Sequence, residues 1–592
     1  MLVYGDHARE VRPSEVLESL RERLRRVDAM PPGLGRHAAL VALLIEAGEL
    51  AQGVLDADFA ERRQDELGPR SEACLALPMA LARAFRESYR SGFGYYERIP
   101  EEVLEALARQ AHPEKVTVKV PEGYAYYALY PELYLEAARA LQLPRSPAVV
   151  GIRSIGTGLA CVVAAATGSP RPPLTVRPGG HPFQRTLSLS SSFERELLSR
   201  SSTAHVAIVD EGPGMSGSSF GAVADFLEDR GVPQDRLLFF PSHMGELGPA
   251  ASERHRTRWA RARRCTVDFD PLFIQPGEDR SPLLSWVEDL TGAAFGPLVD
   301  VGGGAWRHKV FPDEQSWPAV HIQQERRKYL VLAERGTFLL KFAGLGTYGE
   351  RRLARARQLS DASLAPTVEG LRHGFLVQRW LEGARPLPIS RGLDRAELMA
   401  RVGAYYGFRA RRFLAEPGRG ASLAKLLEMA RYNTAQALGD VYAEPLGIWA
   451  PRLDRLSAEV RPVETDNKPH AWEWLVLQDG RLLKADAVDH HDAHDLIGCQ
   501  DVAWDVVGAA VELGLDAAEQ SILAEYVERT SGRPVSARLM DFYRPCYLAF
   551  QLGHHLMAAS TLEALVPAES ARLRRAAERY ATLLRGQLGY FA

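Results

Sequence analysis

Two adjacent carboxylates, Asp210 and Glu211, follow an apolar stretch at residues 206–209 and precede a loop rich in glycine and serine. The apolar stretch is typical of a central parallel strand, and the glycines allow a tight turn before a helix near Phe220. Amide groups at the start of such a helix point at an anion. The expected loop donors are Ser216, Gly217, Ser218 and Ser219. This order predicts a phosphate-binding loop, with acids suited to the two hydroxyls of a ribose.

Residues 148–160 repeat the pattern of apolar strand, glycine-rich turn and small-residue helix. Arg153, Ser154 and Thr157 would face a pyrophosphate at this turn. Between the two loops, a segment rich in glycine and proline carries three cationic or titratable side chains, Arg177, His181 and Arg185. Such a segment suits a mobile flap over a polyanion, and a solvated loop is the alternative.

The order of strand, two acids, spacer and Gly/Ser loop resembles the signature of type I phosphoribosyltransferases, which bind phosphoribosyl pyrophosphate (PRPP). The spacer, residues 212–215, is one residue longer than usual, and serines replace the usual threonines. The resemblance implies a doubly wound domain in which Asp210 and Glu211 act at the ribose, with PRPP and Mg²⁺ bound together. The alternative is a strand-turn-helix connection with chance acids.

After about residue 270, short strand patterns give way to helical patterns. A small sheet followed by a helical lobe resembles protein kinases and aminoglycoside phosphotransferases. The resemblance implies that Lys341 holds ATP phosphates and that Glu350 is its ion-pair partner. It also implies that Gln378 and Glu382 lie at the segment between the lobes, where adenine binds.

A kinase-like transferase needs an acid that orients the acceptor and a later acid that holds magnesium. We expect Asp466 to be the catalytic acid and Asp486, 20 residues later, to be the metal ligand. Position 471, where the family has a metal-binding asparagine, is alanine. Glu473 is the candidate to replace that asparagine, and Asp489 adds a third carboxylate. Asp501 and Asp505 are interpreted as structural caps.

Residues 489–495 contain three histidines and three aspartates, so a transition-metal site is an alternative here. His490 and His494 would share a face if the segment were helical. We favour active-site loop residues, because this run adjoins the magnesium acid.

The predicted fold class is an α/β doubly wound phosphoribosyltransferase-like domain with a helical N-terminal cap, followed by an α+β kinase-like bilobal domain. The expected boundaries are a helical cap at 1–114, the phosphoribosyltransferase-like domain at 115–270 and a linker at 271–298. The kinase-like N-lobe would span 299–388 and the helical C-lobe 389–592. Strands are expected at residues 116–120 and 123–130.

The composition narrows the class of partner. The 592 residues include 72 Lys and Arg against 75 Asp and Glu, a net charge of −3, so nucleic acid is an unlikely partner. The local basic stretch 254–264, with Trp259 inside it, is the one feature that favours nucleic acid. Five dispersed cysteines favour reduced thiols, and we find no long apolar run. We therefore expect a cytoplasmic protein without a membrane partner that acts on small molecules, and leave open a homodimer.

Together these patterns predict a bifunctional transferase, a PRPP-dependent phosphoribosyltransferase joined to an ATP-dependent small-molecule kinase. It would make or modify a nucleoside-like metabolite. The alternative is a sensor or scaffold that binds PRPP or a nucleotide without turnover, with a pseudokinase domain. The alanine at position 471 favours this alternative.

Overall fold

The computed structural model describes residues 8–275, 281–390 and 394–589. Its N-terminal part is helical, as the periodicity predicts. The buried positions Leu17, Leu20, Leu24 and Val27 of the first helix recur every three or four residues and form one apolar face. The elements are β1 Ala8–Val11, α1 Pro13–Ala29, α2 Leu34–Arg62, α3 Pro69–Arg90 and α4 Glu101–Ala108.

Helix α2 is the one helix of the described residues that is long and apolar enough to cross a membrane. Within its most apolar window, 83% of the residues are buried inside the protein. It packs against α3, α7 (Gly156–Ala166) and β2 (Val116–Lys119). Its apolar character therefore serves the core.

A five-stranded parallel sheet follows. The strand order is β4-β3-β7-β8-β9, and Val150 of β3 lies between Leu174 of β4 and Ile208 of β7. Residues 123–130 are not a strand, because a short helix begins at Glu122. The further elements are α5 Glu122–Ala125, α6 Pro131–Arg139, β3 Ala148–Ile152, β4 Leu174–Val176, β5 Gly179–His181, β6 Gln184–Thr186, α8 Ser191–Ser201, β7 Val206–Val209, α9 Ser218–Glu228, β8 Leu237–Phe240, α10 Glu253–Arg261 and β9 Arg263–Arg264.

The expected linker at 271–298 contains buried structure. Helices α11 (Phe269–Phe273) and α12 (Pro282–Thr291) lie there, and Leu283, Trp286 and Val287 are buried in the main core. Residues 276–280 lie outside the described residues. Pro282 is the first residue of α12, a position where the missing N–H of proline leaves no hydrogen bond unmade.

An antiparallel sheet of order β10-β11-β12-β14-β13 forms the next layer. Between β10 and β11 the chain makes a long excursion over residues 301–327, here called the strap. The elements are β10 Val299–Asp300, α13 Arg307–Val310, β11 Lys328–Ala333, β12 Gly336–Phe342, α14 Thr347–Asp361, β13 Val368–Arg372 and β14 Phe375–Arg379.

The C-terminal lobe is helical, with small strand pairs near the cleft. Its elements are β15 Arg385–Pro386, α15 Arg395–Arg412, α16 Leu423–Leu438, α17 Asp440–Ala443, α18 Leu453–Ser457, β16 Pro462–Val463, β17 Trp474–Val476, β18 Leu482–Lys484, β19 Gln500–Asp501, α19 Ala503–Glu512, α20 Ala517–Ser531, α21 Ala537–Leu562 and α22 Pro567–Gly589.

The apolar cores do not follow the expected domain boundaries. One core runs from Leu17 to Val377 and joins the helical N-terminal part, one face of the parallel sheet and the antiparallel sheet. A second core fills the other face of the parallel sheet. A third fills the C-terminal lobe and also includes Leu359 of α14 and Leu376 of β14. The antiparallel sheet is therefore packed on the N-terminal half.

Candidate functional site

Lys341 of β12 lies at the centre of the cleft between the antiparallel sheet and the helical lobe. Its Nζ donates to Oδ1 of Asp486 at 2.5 Å and lies 3.4 Å from Oδ1 of Asp489. Burial opposes the charge on Lys341, but the two carboxylates outweigh it and raise the pKa of the lysine. Lys341 in turn holds the pKa of both acids well below the usual range despite their burial. All three groups are therefore charged at neutral pH.

A cavity of about 200 Å³ opens in front of this cluster. Its apolar walls come from both lobes, and the predicted site residues Lys341, Gln378, Glu473 and Asp486 all line it. The apolar lining includes Val301, Leu339, Trp380, Leu475 and Ala485. An apolar cavity beside a cation and carboxylates can hold a base and its phosphates.

Two predicted nucleotide contacts are wrong. Glu350 of α14 pairs with Arg23 of α1 across 3.2 Å instead of with Lys341, and its side chain is 58% exposed. Glu382 is exposed and accepts a hydrogen bond from Thr337, outside the cavity lining. In place of Glu350, helix α14 presents Arg352, which donates to Asp492 at 3.1 Å.

The carboxylate of Asp466 is buried below the cavity. It lies 3.1 Å from Nδ1 of His490 and 3.3 Å from Nζ of Lys484. Its neighbours Asn467 and Lys468 line the cavity, whereas Asp466 is fully buried. The structure therefore does not bring its carboxylate to the cavity surface, and a direct contact with an acceptor stays a prediction.

Asp505 braces the loop that carries Asp466. It accepts hydrogen bonds from the backbone N–H groups of Asp466 (2.8 Å) and Asn467 (3.0 Å). Burial and the charge of Asp466 raise the pKa of Asp505 to about 7. Asp501 likewise accepts from the backbone of Ala503. The interpretation of both aspartates as structural caps agrees with these contacts.

The strap covers the cavity, which the sequence did not predict. Trp306 and Glu325 of the strap line the cavity and are joined by a hydrogen bond of 2.9 Å. Arg307 forms a buried ion pair with Glu569 of α22 at 3.0 Å. Gly303 and Gly304 have positive φ angles, so the turn that starts the strap needs glycine. The helical lobe contributes Lys468, His470, Asp495, Gln551, His554 and His555 to the lining of the cavity.

The acid pair lies at the carboxyl edge of the parallel sheet. Asp210 and Glu211 follow β7, and the carbonyl of Asp210 accepts a hydrogen bond from Tyr134 at 2.8 Å. Burial raises the pKa of Asp210 to about 6. Burial, with Glu122 and Asp210 nearby, raises the pKa of Glu211 to about 8. Both acids can therefore change charge near neutral pH.

The loop before α9 has the predicted turn. Gly217 has a φ of 62° and precedes the helix, which begins at Ser218. The hydroxyls of Ser216 (3.3 Å) and Ser218 (2.7 Å) both donate to the carbonyl of Pro182, at the tip of the β5-β6 hairpin. Ser219 lies in the first turn of α9. The hydroxyls of Ser216 and Ser218 thus converge on one acceptor, the carbonyl oxygen of Pro182.

The upstream loop differs from the prediction at Arg153. This side chain is buried and bonded to Asp56 (2.8 Å) and to Asp65, so it cannot face a pyrophosphate. Ser154 has a φ of 155°, a strained backbone for a serine, and Thr157 is buried with no hydrogen-bond partner for Oγ1 among the described residues. The two loops still adjoin, because a Cβ on Gly156 would lie 2.6 Å from the carbonyl of Val209.

The expected flap is the β5-β6 hairpin, and only part of it is free. Arg177 bonds to Asp56, and its backbone N–H donates to Asp65, so this residue is anchored. His181 is exposed on the hairpin, and Arg185 donates to the carbonyl of Pro178. Lys119 of β2, which sequence reasoning missed, acts with Arg177 and Arg185 to favour the charged form of Asp210.

The structure places the residues behind two alternatives from the sequence, a transition-metal site and a nucleic-acid surface. His490 lies near Asp486 and Asp489, but His494 bonds to Tyr127 instead, so the histidine run does not converge on one ion. In the basic stretch 254–264, Arg258 is buried and paired with Asp225 and Glu228, and Trp259 is buried. Arg258 and Trp259 therefore serve the fold, whereas Arg254, Arg261 and Arg263 are exposed.

Comparisons find no matching protein-family model and no matching curated protein. Several solved structures resemble part of the chain. The choline kinase LicA from Streptococcus pneumoniae aligns at 15% identity and a TM-score of 0.31, over 43% of this chain and 89% of that one. A choline/ethanolamine kinase family protein from Mesorhizobium loti aligns at 15% identity and a TM-score of 0.30, over 50% and 94%. The spectinomycin phosphotransferase APH(9)-Ia aligns at 13% and 0.32, over 51% and 97%.

These identities and TM-scores are too low to indicate the function of this chain. The geometry of the site is therefore considered without them. A five-stranded antiparallel sheet, a helix after its third strand, a lysine on that strand and a carboxylate after β18 occur in the kinase order. Residues 299–589 thus have the order of elements that is expected for the kinase-like lobes.

Proposed function

We propose that residues 299–589 bind ATP and transfer its terminal phosphoryl group to a hydroxyl of a small molecule. The observation that carries this proposal is the ion cluster of Lys341 with Asp486 and Asp489, at the wall of a cavity between the two lobes. Phosphoryl transfer depends mainly on positioning and on charge neutralisation, and this cluster supplies the groups for both.

The donor set fits Mg²⁺, because Asp486, Asp489 and Glu473 offer hard carboxylate oxygens. When bound, the ion would neutralise charge on the ATP phosphates. Lys341 would contact the phosphates directly, and Gln378 and the apolar wall would hold the base. Lys468 and Asp495, which the helical lobe contributes to the cavity lining, would orient the acceptor.

The test is transfer of label from γ-³²P-ATP to the small-molecule fraction of a cell extract, followed by chromatography. We expect labelled product with the wild type and none with Asp486→Asn. Lys309→Ala, on the strap helix α13 and outside the cavity lining, is the matched control. ATP binding without any labelled product across extracts from several growth conditions would favour the pseudokinase alternative.

A specific observation favours a second function. Asp210 and Glu211 adjoin the first loop through Gly156 and stand beside the donors at residues 216–219, all at one edge of a parallel sheet. Ligands of doubly wound sheets bind at this edge. We propose that this site binds PRPP, with Asp210 and Glu211 at the ribose hydroxyls, and that it transfers the phosphoribosyl group. Arg153 has no part in the proposal, because its charge is used by Asp56 and Asp65.

Calorimetry with PRPP and Mg²⁺ tests the second site. The double variant Asp210→Asn with Glu211→Gln should lose about 3 kcal/mol or more of binding free energy, since charged hydrogen bonds contribute ~1.5–3 kcal/mol each. Glu253→Gln on the exposed start of α10 is the control. Unchanged affinity in the double variant would remove PRPP from the proposal and leave the kinase proposal standing.

The remaining expectations stay predictions. A bifunctional enzyme would consume both PRPP and ATP, whereas a sensor would bind them unchanged, and mass spectrometry of both compounds separates the two. The five cysteines are all buried and form no disulfide among the described residues, and reduced thiols in a cytoplasmic protein stay a prediction. Small-molecule partners and a homodimer also stay predictions.

A further inference from the structure

Three polar side chains from distant parts of the chain meet inside the main core. They are His37 of α2, Glu132 of α6 and His373 of the turn between β13 and β14. Oε1 of Glu132 lies 3.1 Å from Nε2 of His37 and 2.7 Å from Nε2 of His373. The cluster therefore joins the helical N-terminal part to the kinase-like N-lobe.

The burial of this cluster is nearly complete. The exposed fractions are 0% for His37, 1% for Glu132 and 6% for His373. The second carboxylate oxygen of Glu132, Oε2, has no hydrogen-bond partner among the described residues. A buried carboxylate with an unsatisfied oxygen is costly unless a further charge or donor compensates it.

The spacing of the donors suits a tetrahedral metal ion. Zinc bonds to histidine nitrogen and carboxylate oxygen are close to 2 Å, which sets the ligand–ligand separation at about 3.3 Å. The separation of 3.1 Å between Glu132 and His37 is near this value, and that of 2.7 Å between Glu132 and His373 is shorter. One donor atom from each of the three residues lies within 4.8 Å of the others. Two histidines and one glutamate are a known zinc donor set with an open fourth position.

The surroundings supply the usual support of a metal-binding histidine. Nδ1 of His37, the nitrogen that faces away from Glu132, lies 3.0 Å from Oγ of Ser88. A metal-bound imidazole donates its other N–H to such a partner. The rings of Phe93 (4.6 Å from His37) and Trp286 (4.9 Å from His373) enclose the cluster. His373 also lines an open cleft of about 1150 Å³, which gives a path of entry.

We propose that His37, Glu132 and His373 bind one transition-metal ion of the zinc class, which fastens the kinase-like N-lobe to the helical N-terminal part. This site is separate from the Asp486 and Asp489 cluster. That cluster has carboxylate oxygens and a lysine and suits Mg²⁺, whereas imidazole nitrogen favours zinc, cobalt or nickel.

Cobalt tests the site without an assumption about activity. Metal-depleted full-length protein should bind about one Co²⁺ per chain with the visible absorption of a tetrahedral ion, and Zn²⁺ should displace it. His373→Gln and Glu132→Gln should lose the absorption, whereas His181→Gln, on the exposed hairpin, should retain it. Ser88→Ala should weaken the metal affinity by ~10-fold or more while keeping the spectrum, because it removes only the supporting hydrogen bond.

Thermal melting of the wild type supplies the second measurement. Zinc should raise the unfolding midpoint of depleted wild type and leave that of a folded Glu132→Gln variant unchanged, because the ion binds only the folded chain. No cobalt absorption and no zinc-dependent shift in the wild type would overturn the proposal, whatever the variants do. The cluster would then be a hydrogen-bonded triad.

Discussion

The hydroxyl oxygen of Tyr127 lies 2.7 Å from Nε2 of His494. The neighbouring Tyr126 donates to the backbone carbonyl of Asp492. These tyrosines follow Gly123, whose backbone N–H bonds to Glu211. The segment at residues 122–127 therefore touches the acid pair of one candidate site at its start and the loop after Asp489 of the other at its end.

We predict that this segment couples the two sites. Saturating ATP with Mg²⁺ should change the PRPP affinity of the wild type by about 5-fold or more, a typical coupling between sites. Tyr126→Phe with Tyr127→Phe should abolish this change and preserve each affinity measured alone. Calorimetric titrations in the presence and absence of the other ligand measure it, with the exposed Tyr95→Phe as control. Equal coupling in the double variant would mean that the signal takes another route.

The raised pKa of Glu211 predicts a pH dependence of stability. A carboxyl group whose pKa rises from 4.5 to about 8 on folding binds its proton more tightly in the folded state. Its contribution to stability is therefore full below about pH 4.5 and is lost as the pH rises through 8. Calorimetric unfolding from pH 5 to 9 should show a smaller loss of stability in Glu211→Gln than in the wild type. Parallel curves would contradict the shift.

The same pKa shifts predict that PRPP affinity increases with pH, whereas the stability contribution of Glu211 decreases. Ionised carboxylates accept hydrogen bonds from ribose hydroxyls better than neutral ones do. PRPP affinity should therefore rise between pH 6 and pH 8.5, through the pKa values of about 6 for Asp210 and about 8 for Glu211. Glu211→Gln should flatten the upper part of this rise. Phosphate bound alone, as a control ligand, lacks the hydroxyls and should not follow the carboxylates.

Removal of Lys341 should affect ATP selectively. Lys341→Met takes away the buried cation between Asp486 and Asp489, so ATP affinity should fall by ~10-fold or more because a charged hydrogen bond to phosphate is lost. PRPP affinity should stay constant. Fluorescence titration with a labelled ATP analogue checks the first expectation and calorimetry the second. A loss of both affinities would point to unfolding instead of a local effect, and a melting curve distinguishes the two.

Substitution of the buried Asp466 distinguishes a structural role of this residue from a catalytic role. Asp466→Asn removes the nearer carboxylate of the buried Lys484, at 3.3 Å, and leaves it Glu473 at 3.7 Å. The free energy of unfolding should therefore fall by about 3 kcal/mol. If Asp466 also orients an acceptor, the transfer rate should drop by at least ~100-fold at temperatures where the variant remains folded. A stability loss with an unchanged rate would assign Asp466 to the scaffold and direct attention to Asp495.

Local motifs could be predicted from the sequence where the chemistry is contained in neighbouring residues. Lys341 and Asp486 are predictable because Lys341 lies in a recognisable strand and Asp486 follows one, and the loop around Gly217 is predictable from its glycines. Arg153 and Glu350 were assigned wrongly because their true partners, Asp56 with Asp65 and Arg23, lie far away in the sequence. A residue type predicts that a charge must be compensated, but only the fold selects the partner.

The strap and the metal cluster illustrate the same limit. Residues 301–327 carry no periodic pattern, and their role follows from the ion pair between Arg307 and Glu569, 262 residues apart. His37, Glu132 and His373 show no ligand spacing, because each comes from a different segment. Sequence patterns report what happens along one element, whereas these features depend on how elements pack.

The core that runs from Leu17 to Val377 determines which parts of the chain unfold together. A protein cut near residues 276–280 would separate the kinase-like lobes from the helices that their sheet packs against, and each fragment would expose apolar surface to water. The antiparallel sheet should therefore melt together with the parallel sheet, in one cooperative transition. The helical lobe, with a core of its own, should melt as the second unit.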